Sequence, residues 1–354
     1  MKFKISGSAA SSLGMLAMAL RILFGVTIEL PGLYNAGWIA VLLGGILALP
    51  LAFAATWLRN ASSLSPIGAL SKRSPAWVRV LTASLSLTAV YDAAVVSDII
   101  SCSASYVALN SVNMIYLMLP QLLLCYFALS FNGDAIGFSA GIWNRILPWI
   151  VVIIIVVEFR QFRLPWLTPI LGPGAAPLLD GALRVAGWLS LLTGLLMISE
   201  KDTGEGKPLR PVWLMVRCCL IAAVLVLLHN LMTPALVEAE ASSRFFLLDT
   251  LLTNGRSPLS LQLPMMILWF IGLFLLLLFD AFTSVALLQA TVPRLTKLPC
   301  ILIVLGAIVA MSLGNLTANE IVLAVQKWLY VIHGILLGIA MIQLKPQKGS
   351  VSHA

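Results

Sequence analysis

Charge is what this chain has least of. Lys, Arg, Asp and Glu make up 10% of its 354 residues, against roughly a quarter in soluble domains. Hydrophobic residues reach 60% and mean hydropathy is +1.01. That balance excludes an ordinary water-soluble domain and describes a polytopic helical membrane protein. Histidine is scarce as well: His229, His333 and His353 show no metal-ligand spacing. No Gly-rich phosphate loop and no Ser/His/Asp set occurs, so the pattern does not point to an enzyme, and no cofactor or metal is expected. The cysteines (Cys102, Cys125, Cys218, Cys219, Cys300) are odd in number and all lie in apolar segments, which argues against a disulfide framework. Lys2 and Lys4 precede the first apolar stretch, but it runs on through Arg21 to Pro31 with no convincing cleavage site. It reads as a retained helix and not as a signal peptide.

What is present is a series of ten apolar segments: 8–30, 37–58, 76–108, 112–130, 141–159, 178–199, 211–232, 263–290, 298–313 and 320–344, numbered here as spans 1 to 10. Residues 237–258 carry Glu238, Glu240, Arg244, Asp249 and Arg256 and read as an extramembrane or interfacial amphipathic piece. The chain pivots on RLPWLTPILGPGAAPLLDGALRVAGWLSLLTGLL, residues 163–196. Pro165, Pro169, Gly172, Pro173, Gly174 and Pro177 forbid a regular helix through its first half. Its second half carries Arg184, Gly187 and Ser190 in an apolar context.

Five spans precede this pivot and five follow. Of the 22 basic residues, Arg21, Arg184 and Lys327 fall inside spans. With the N-terminus inside, only Arg160, Arg163, Arg244 and Arg256 face out, and the remaining fifteen face in. Both termini are therefore expected on the cytoplasmic side. An odd number of spans per half makes the second half enter from the opposite face, the condition for an inverted repeat. The expected fold is an all-α polytopic membrane protein of ten transmembrane helices. It forms one transmembrane domain, 1–354, in a five-plus-five inverted repeat (LeuT-like) of 1–160 and 161–354, with spans 1 and 6 broken.

Ionisable groups at membrane depth usually face a cavity or pair with one another. Arg21, Arg184 and Lys327 are the cations; Asp92 and Asp98 on span 3 and Asp280 on span 8 are the acids. None falls on spans 2, 4 or 9. Structural ion pairing is an equally weighted reading of the same pattern. On span 3, Ser84, Thr88, Tyr91, Val95, Asp98, Cys102 and Ser105 recur at helical spacing and form one largely polar face. A half-helix N-terminus suits a ligand carboxylate, which nominates Gly25, Val26 and Thr27 in span 1 and Gly187, Trp188 and Ser190 in span 6. Tyr91, Asp92, Asp98, Asp280 and Ser284 complete the candidate ligand-binding set, with Arg21, Arg184 and Lys327 as an intramembrane charge network. The positive charge of Arg21 and Arg184 is expected to favour an anionic ligand group.

Several segments carry a family resemblance: Leu30-Pro31 followed by AGWIAVLLGGILALPLAFAATWL, NGDAIGFSAGIWNRILPWIVV with Arg145, LPWLTPILGPGAAPLLDGAL, and RFFLLDTLLTNGRSPLSLQLPMMILWFIGLF. In order and spacing these resemble the B-subunits of spore germination nutrient receptors (the GerAB-type family) of the amino acid–polyamine–organocation transporter superfamily. The resemblance spans nearly the whole chain. It departs from the family in its single Gly25 in span 1 and in Ala186-Gly187-Trp188-Leu189-Ser190 where an acid after Pro-Phe-Gly is common. It implies a subunit in the cell membrane or spore inner membrane that binds a small germinant, often an amino acid, beside an A-subunit and a lipoprotein C-subunit. The alternative is a proton- or sodium-coupled amino acid secondary transporter.

The orientation has a direct check. In a cysteine-free background, Thr203→Cys is expected to stay unlabelled by an impermeant reagent added to intact cells; labelling there would overturn the topology.

Overall fold

The computed structural model describes residues 5–26, 30–61, 65–108, 114–131, 133–158, 163–168, 172, 174–199, 210–232, 262–314 and 320–344. Among these residues the chain is helical and contains no strand. The helices are α1 (Gly7–Phe24), α2 (Gly37–Asn60), α3 (Pro66–Arg73), α4 (Pro75–Ala108), α5 (Met114–Ser130), α6 (Gly133–Glu158), α7 (Ala175–Ile198), α8 (Pro211–Met232), α9 (Gln262–Thr291), α10 (Lys297–Leu313) and α11 (Glu320–Leu344). All but α3 follow the ten apolar segments. Six of them (α1, α2, α4, α7, α8 and α9) are long and apolar enough on their own to cross a bilayer. The segment 237–258 lies outside the described residues.

Local chemistry sets the ends. Ser6 caps α1 by accepting from the Ala9 N–H, and its own N–H donates to Asp134 Oδ1 at 2.8 Å. Ser65 caps α3, with Pro66 at its first position. This short helix lies between the second and third apolar segments. Lys297 donates to the carbonyls of Ser130 and Phe131 at 2.8 and 2.7 Å, closing the C-terminus of α5 before the chain turns into α6. Arg59 does the same for α7, reaching Ser199 Oγ at 2.6 Å and the Leu196 carbonyl.

The helix pairing is nearly unchanged when the two halves are exchanged. α4 packs on α9, α2 on α8, α1 on α7 and α5 on α10; α1·α6 is matched by α7·α11, α1·α8 by α2·α7, α4·α10 by α5·α9, and α4·α5 by α9·α10. The largest contact, α4 with α9, is antiparallel. Thr82 bonds Thr291, and four residues further along α4, Ser86 bonds Ser284. Opposed entry of the two halves produces this arrangement. One asymmetry stands out: α11 also packs on α2 and α4.

Close approach relies on small residues, as it does wherever helices pack without a hydrophobic driving force between them. A Cβ on Gly44 of α2 would press on Val185 and on the Ala182 carbonyl of α7. One on Gly137 of α6 would overlap Ala9 of α1. Beyond α1, a 3-10 turn at Pro31–Ala36 seats Leu33 against Gly181 and Asn35 against Gly172, whose φ is +52°. Large apolar side chains such as Ile46, Phe53, Trp149 and Ile342 stand exposed around the outside, where lipid would meet them.

One expectation is corrected. α7 runs unbroken from Ala175 to Ile198, so span 6 has no interruption at Gly187. The prolines and positive-φ glycines (Gly172 at +52°, Gly174 at +106°) all precede the helix, and only Pro177 falls within its first turn, where a missing N–H costs little. Span 1 does lose regularity: α1 ends in a π-type turn at Gly25 and Val26, and Leu30 is non-helical.

Gly44→Val is expected to lower stability by about 1–3 kcal/mol through overpacking of α2 on α7, read as a lower melting temperature in detergent. Gly306→Ala, on an open face with nothing within 4 Å of its Cβ, should melt like the native chain.

Candidate functional site

The centre of the molecule lies where α1 loses its regular form. Arg21, one turn before that point, is fully buried (0% exposed), a placement a guanidinium tolerates only when it is compensated. Two partners among the described residues contribute to this. Its Nη2 donates to Asp92 Oδ1 of α4 at 2.9 Å, and its guanidinium carbon sits 4.8 Å from the centroid of the Trp188 ring of α7. Asp92 and Trp188 are each 1% exposed. A cation between a carboxylate and an aromatic face is held from two sides, in a medium that strengthens both attractions. Three helices are thereby clamped by one side chain.

Gly25 takes part through what it lacks. It enters the π-type turn with right-handed helical dihedrals (φ −62°, ψ −45°), and its N–H donates to the carbonyls of Arg21 and Ile22. Its value is space: a Cβ there would overlap the six-membered ring of Trp188. The indole fills the position beside the irregular end of α1, and its buried Nε1–H has no acceptor among the described residues. Val26 is buried against Gly37 of α2.

A second polar cluster lies two residues along α7 from Trp188. Ser190 Oγ donates to the Gly187 carbonyl at 2.6 Å and so accepts from His333 Nδ1 of α11 at 2.7 Å. His333 Nε2 then accepts from Ser84 of α4 at 3.1 Å. This assigns the neutral Nδ1–H tautomer, with both ring nitrogens satisfied. Sequence reasoning passed over His333 because nothing marks it on an apolar helix. The signal available was Ser84, a polar residue on a buried stripe that required a partner. Gln121 was also missed; its amide bridges Ser101 Oγ (2.8 Å) and the Ser97 carbonyl of α4.

The predicted residues divide as follows. Arg21, Gly25, Asp92 and Trp188 come together, and Ser190 joins the neighbouring cluster. Tyr91, Asp98 and Asp280 are buried on α4 and α9. Antiparallel register puts Asp280, four residues before Ser284, about 6 Å along the axis towards the level of Asp92. Ser284 Oγ is engaged with Ser86, holding α9 on α4. Gly187 supplies its carbonyl to Ser190 inside a continuous helix. Arg184 does not reach an acid of α4 or α9: at 17% exposure it pairs with Asp180 of its own helix, 3.2 Å away. Thr27 lies outside the described residues, as does the side chain of Lys327. Among the described residues, neither expected half-helix N-terminus lies beside Arg21. α1 arrives there by its C-terminal, carbonyl end, and α7 passes through.

Comparison with known proteins fits this frame. No family profile matches the chain, and no curated protein matches its sequence. Solved structures do. Mhp1, a nucleobase-cation-symport-1 family transporter in a closed conformation with bromovinylhydantoin bound, superposes with a TM-score of 0.61 at 11% identity, over 96% of this chain and 78% of that one. A manganese transporter of Eremococcus coleocola, in mutant form, gives 0.60 at 14% identity, over 97% and 81%. The same transporter with an aromatic bis-isothiourea substituted compound gives 0.58 at 14% identity, over 97% and 78%. The chain has the LeuT-like fold of secondary transporters, and is an integral membrane protein of that architecture.

The clamp predicts non-additivity. Asp92→Asn or Arg21→Gln alone should each cost about 3–5 kcal/mol by stranding a buried charge. The double variant should be closer to the native chain than the sum of the two. Thermal unfolding in a common detergent reads the cycle; strict additivity would refute the pairing.

Proposed function

We propose that this chain is a secondary transporter for a small molecule, an amino acid by preference, driven by a proton or sodium gradient. In this reading the chain works as one transmembrane domain of two five-helix repeats, 1–160 and 161–354, with both termini cytoplasmic. The observation that carries it is the clamp itself. Arg21 joins α1, α4 and α7 at the point where α1 becomes irregular, so one local exchange of partners there would free three helices at once. Gly25, Val26, Thr27, Tyr91, Asp92, Trp188, Ser190 and Asp280 would line the place so opened, with Asp98 and Ser284 supporting it. The close contacts on either side, Ala9 with Gly137 and Leu33 with Gly181, would be its inner and outer closures. Inverted-repeat transporter folds place their substrate near the bilayer midplane, where the repeats meet, and the same use is inferred here.

A second reading keeps the family resemblance. A germinant-receptor B-subunit, assembled with an A-subunit and a lipoprotein C-subunit in the spore inner membrane, needs two states of differing ligand affinity but no release on the far side. The filled position beside Gly25, where Trp188 sits, favours a protein that rests in one closed state.

Purified protein in liposomes, offered labelled amino acids under an imposed proton or sodium gradient, separates the two. The transporter reading predicts accumulation that collapses with the gradient and falls at least about tenfold (some 1.4 kcal/mol) in Gly25→Leu, which drives a side chain into Trp188. Ligand binding without accumulation under any gradient would favour the receptor.

A further inference from the structure

The seam between α1 and α6 is polar at one end and apolar further along. The two helices run parallel. The Ser6 N–H donates to Asp134 Oδ1, Gly137 meets Ala9, Gly141 faces Ser12, and Asn144 donates to the Ser12 carbonyl at 2.7 Å. At the N-terminal end of this seam lies a cavity of about 310 Å³ edged by Ser8, Ser12, Asp134 and Arg145. One turn further along both helices begins a second cavity of about 370 Å³, walled by Met15, Ala19 and Pro148 and by Leu220 and Val224 of α8. Arg145 is exposed and has no hydrogen bond or ion pair among the described residues. The Ser12 hydroxyl is likewise without a partner among them, and that of Ser8 meets only Ser6 Oγ, at 3.3 Å.

The place of Arg145 makes a free guanidinium costly. α6 is about 39 Å long at 1.5 Å per residue, more than a hydrocarbon core of roughly 30 Å, and its apolar segment begins near residue 141. Arg145 is one turn inside that boundary, beside the exposed Phe138, Ile142 and Ile146. Helical side chains lean towards the helix N-terminus, so its long stem carries the charge back to the headgroup level. There it requires an anion, and the anion a leaflet supplies is phosphate. We propose that this seam holds one phosphatidylethanolamine molecule. Its phosphate would sit on Arg145 and the hydroxyls of Ser8 and Ser12, its amine on Asp134, and an acyl chain in the apolar cavity beyond. One guanidinium and one carboxylate complement a headgroup with one anion and one ammonium. Asp134 Oδ1 accepts from Ser6, which leaves Oδ2 for the amine. Phosphatidylglycerol brings a phosphate but no amine, and so leaves the Asp134 charge unanswered. The lipid would bridge α1 and α6 across the Ala9–Gly137 contact and hold that closure shut. Its leaflet, the cytoplasmic one, rests on the orientation proposed above; the site itself does not depend on transport.

The test titrates the purified full chain in detergent with phosphatidylethanolamine, phosphatidylglycerol and phosphatidylcholine of matched acyl chains, and counts bound lipid by native mass spectrometry. The native chain is expected to retain one phosphatidylethanolamine, held at least about tenfold tighter than either other lipid. Arg145→Gln should lose this binding, and Arg145→Lys should recover part of it. Asp134→Asn, which keeps an acceptor for the Ser6 N–H, should keep a lipid bound but erase the preference over phosphatidylglycerol. Inorganic phosphate and glycerophosphoethanolamine, which has no chains, should not displace the lipid. If Arg145→Gln does not fold, Ser8→Ala with Ser12→Ala replaces it, with weaker lipid retention expected. Equal binding of the three lipids, retention undiminished in these variants, or displacement by phosphate alone would overturn the site. Gradient-driven uptake by a chain that retains no lipid would sink the lipid site and leave transport standing. Selective lipid retention with no uptake of anything would uphold the site and remove transport.

Discussion

A guanidinium buried to 0% exposure in a membrane bundle must be neutralised where it lies, and the centre of this protein is built around that requirement. Arg21 sits on α1, its carboxylate on α4 and its aromatic face on α7, so the pair cannot be satisfied unless three helices are in register. The desolvation penalty of such a pair is large, and apolar replacements are often at least as stable. Retaining it therefore suggests a role beyond stability. It fixes one arrangement of α1 against its neighbours.

The remainder of the bundle supports this point. Antiparallel α4 and α9 form a frame, pinned by the Thr82–Thr291 and Ser86–Ser284 hydrogen bonds. Glycines let α2 meet α7 and α6 meet α1 closely enough that added side chains have nowhere to go. His333 ties α11 to both α4 and α7 beside the clamp, and its bond to Ser84 falls in the α11–α4 contact, one of the two that set α11 apart from α6, its counterpart. The frame is held by many weak contacts, whereas the centre depends on one strong one.

Much of the fold was legible in the sequence because bilayer thickness fixes span length, and because five spans on each side of a proline-rich pivot leave few topologies. The identity of the buried charges was legible too, since Arg21, Asp92, Asp98 and Asp280 are conspicuous in an apolar background. Their pairing was not. Arg184 looks as central as Arg21 in one dimension, yet Asp180 lies one helical turn away and takes it. Gly25 and Gly187 resemble helix breaks, but one makes room for an indole and the other lies within an intact helix. Breaks depend on backbone hydrogen bonds formed with neighbouring turns and helices, which glycine permits but does not require. His333 was silent because its partners, Ser84 and Ser190, lie 249 and 143 residues away.

The central claim is that the Arg21 side chain itself occupies the middle of the site. The most direct measurement is a side-chain-resolution density map of the full chain in nanodiscs without added ligand. The account predicts the guanidinium between the Trp188 ring and the Asp92 carboxylate, with the indole against Gly25. A map with Trp188 turned away and Arg21 pointing into an open, solvent-filled centre would contradict it.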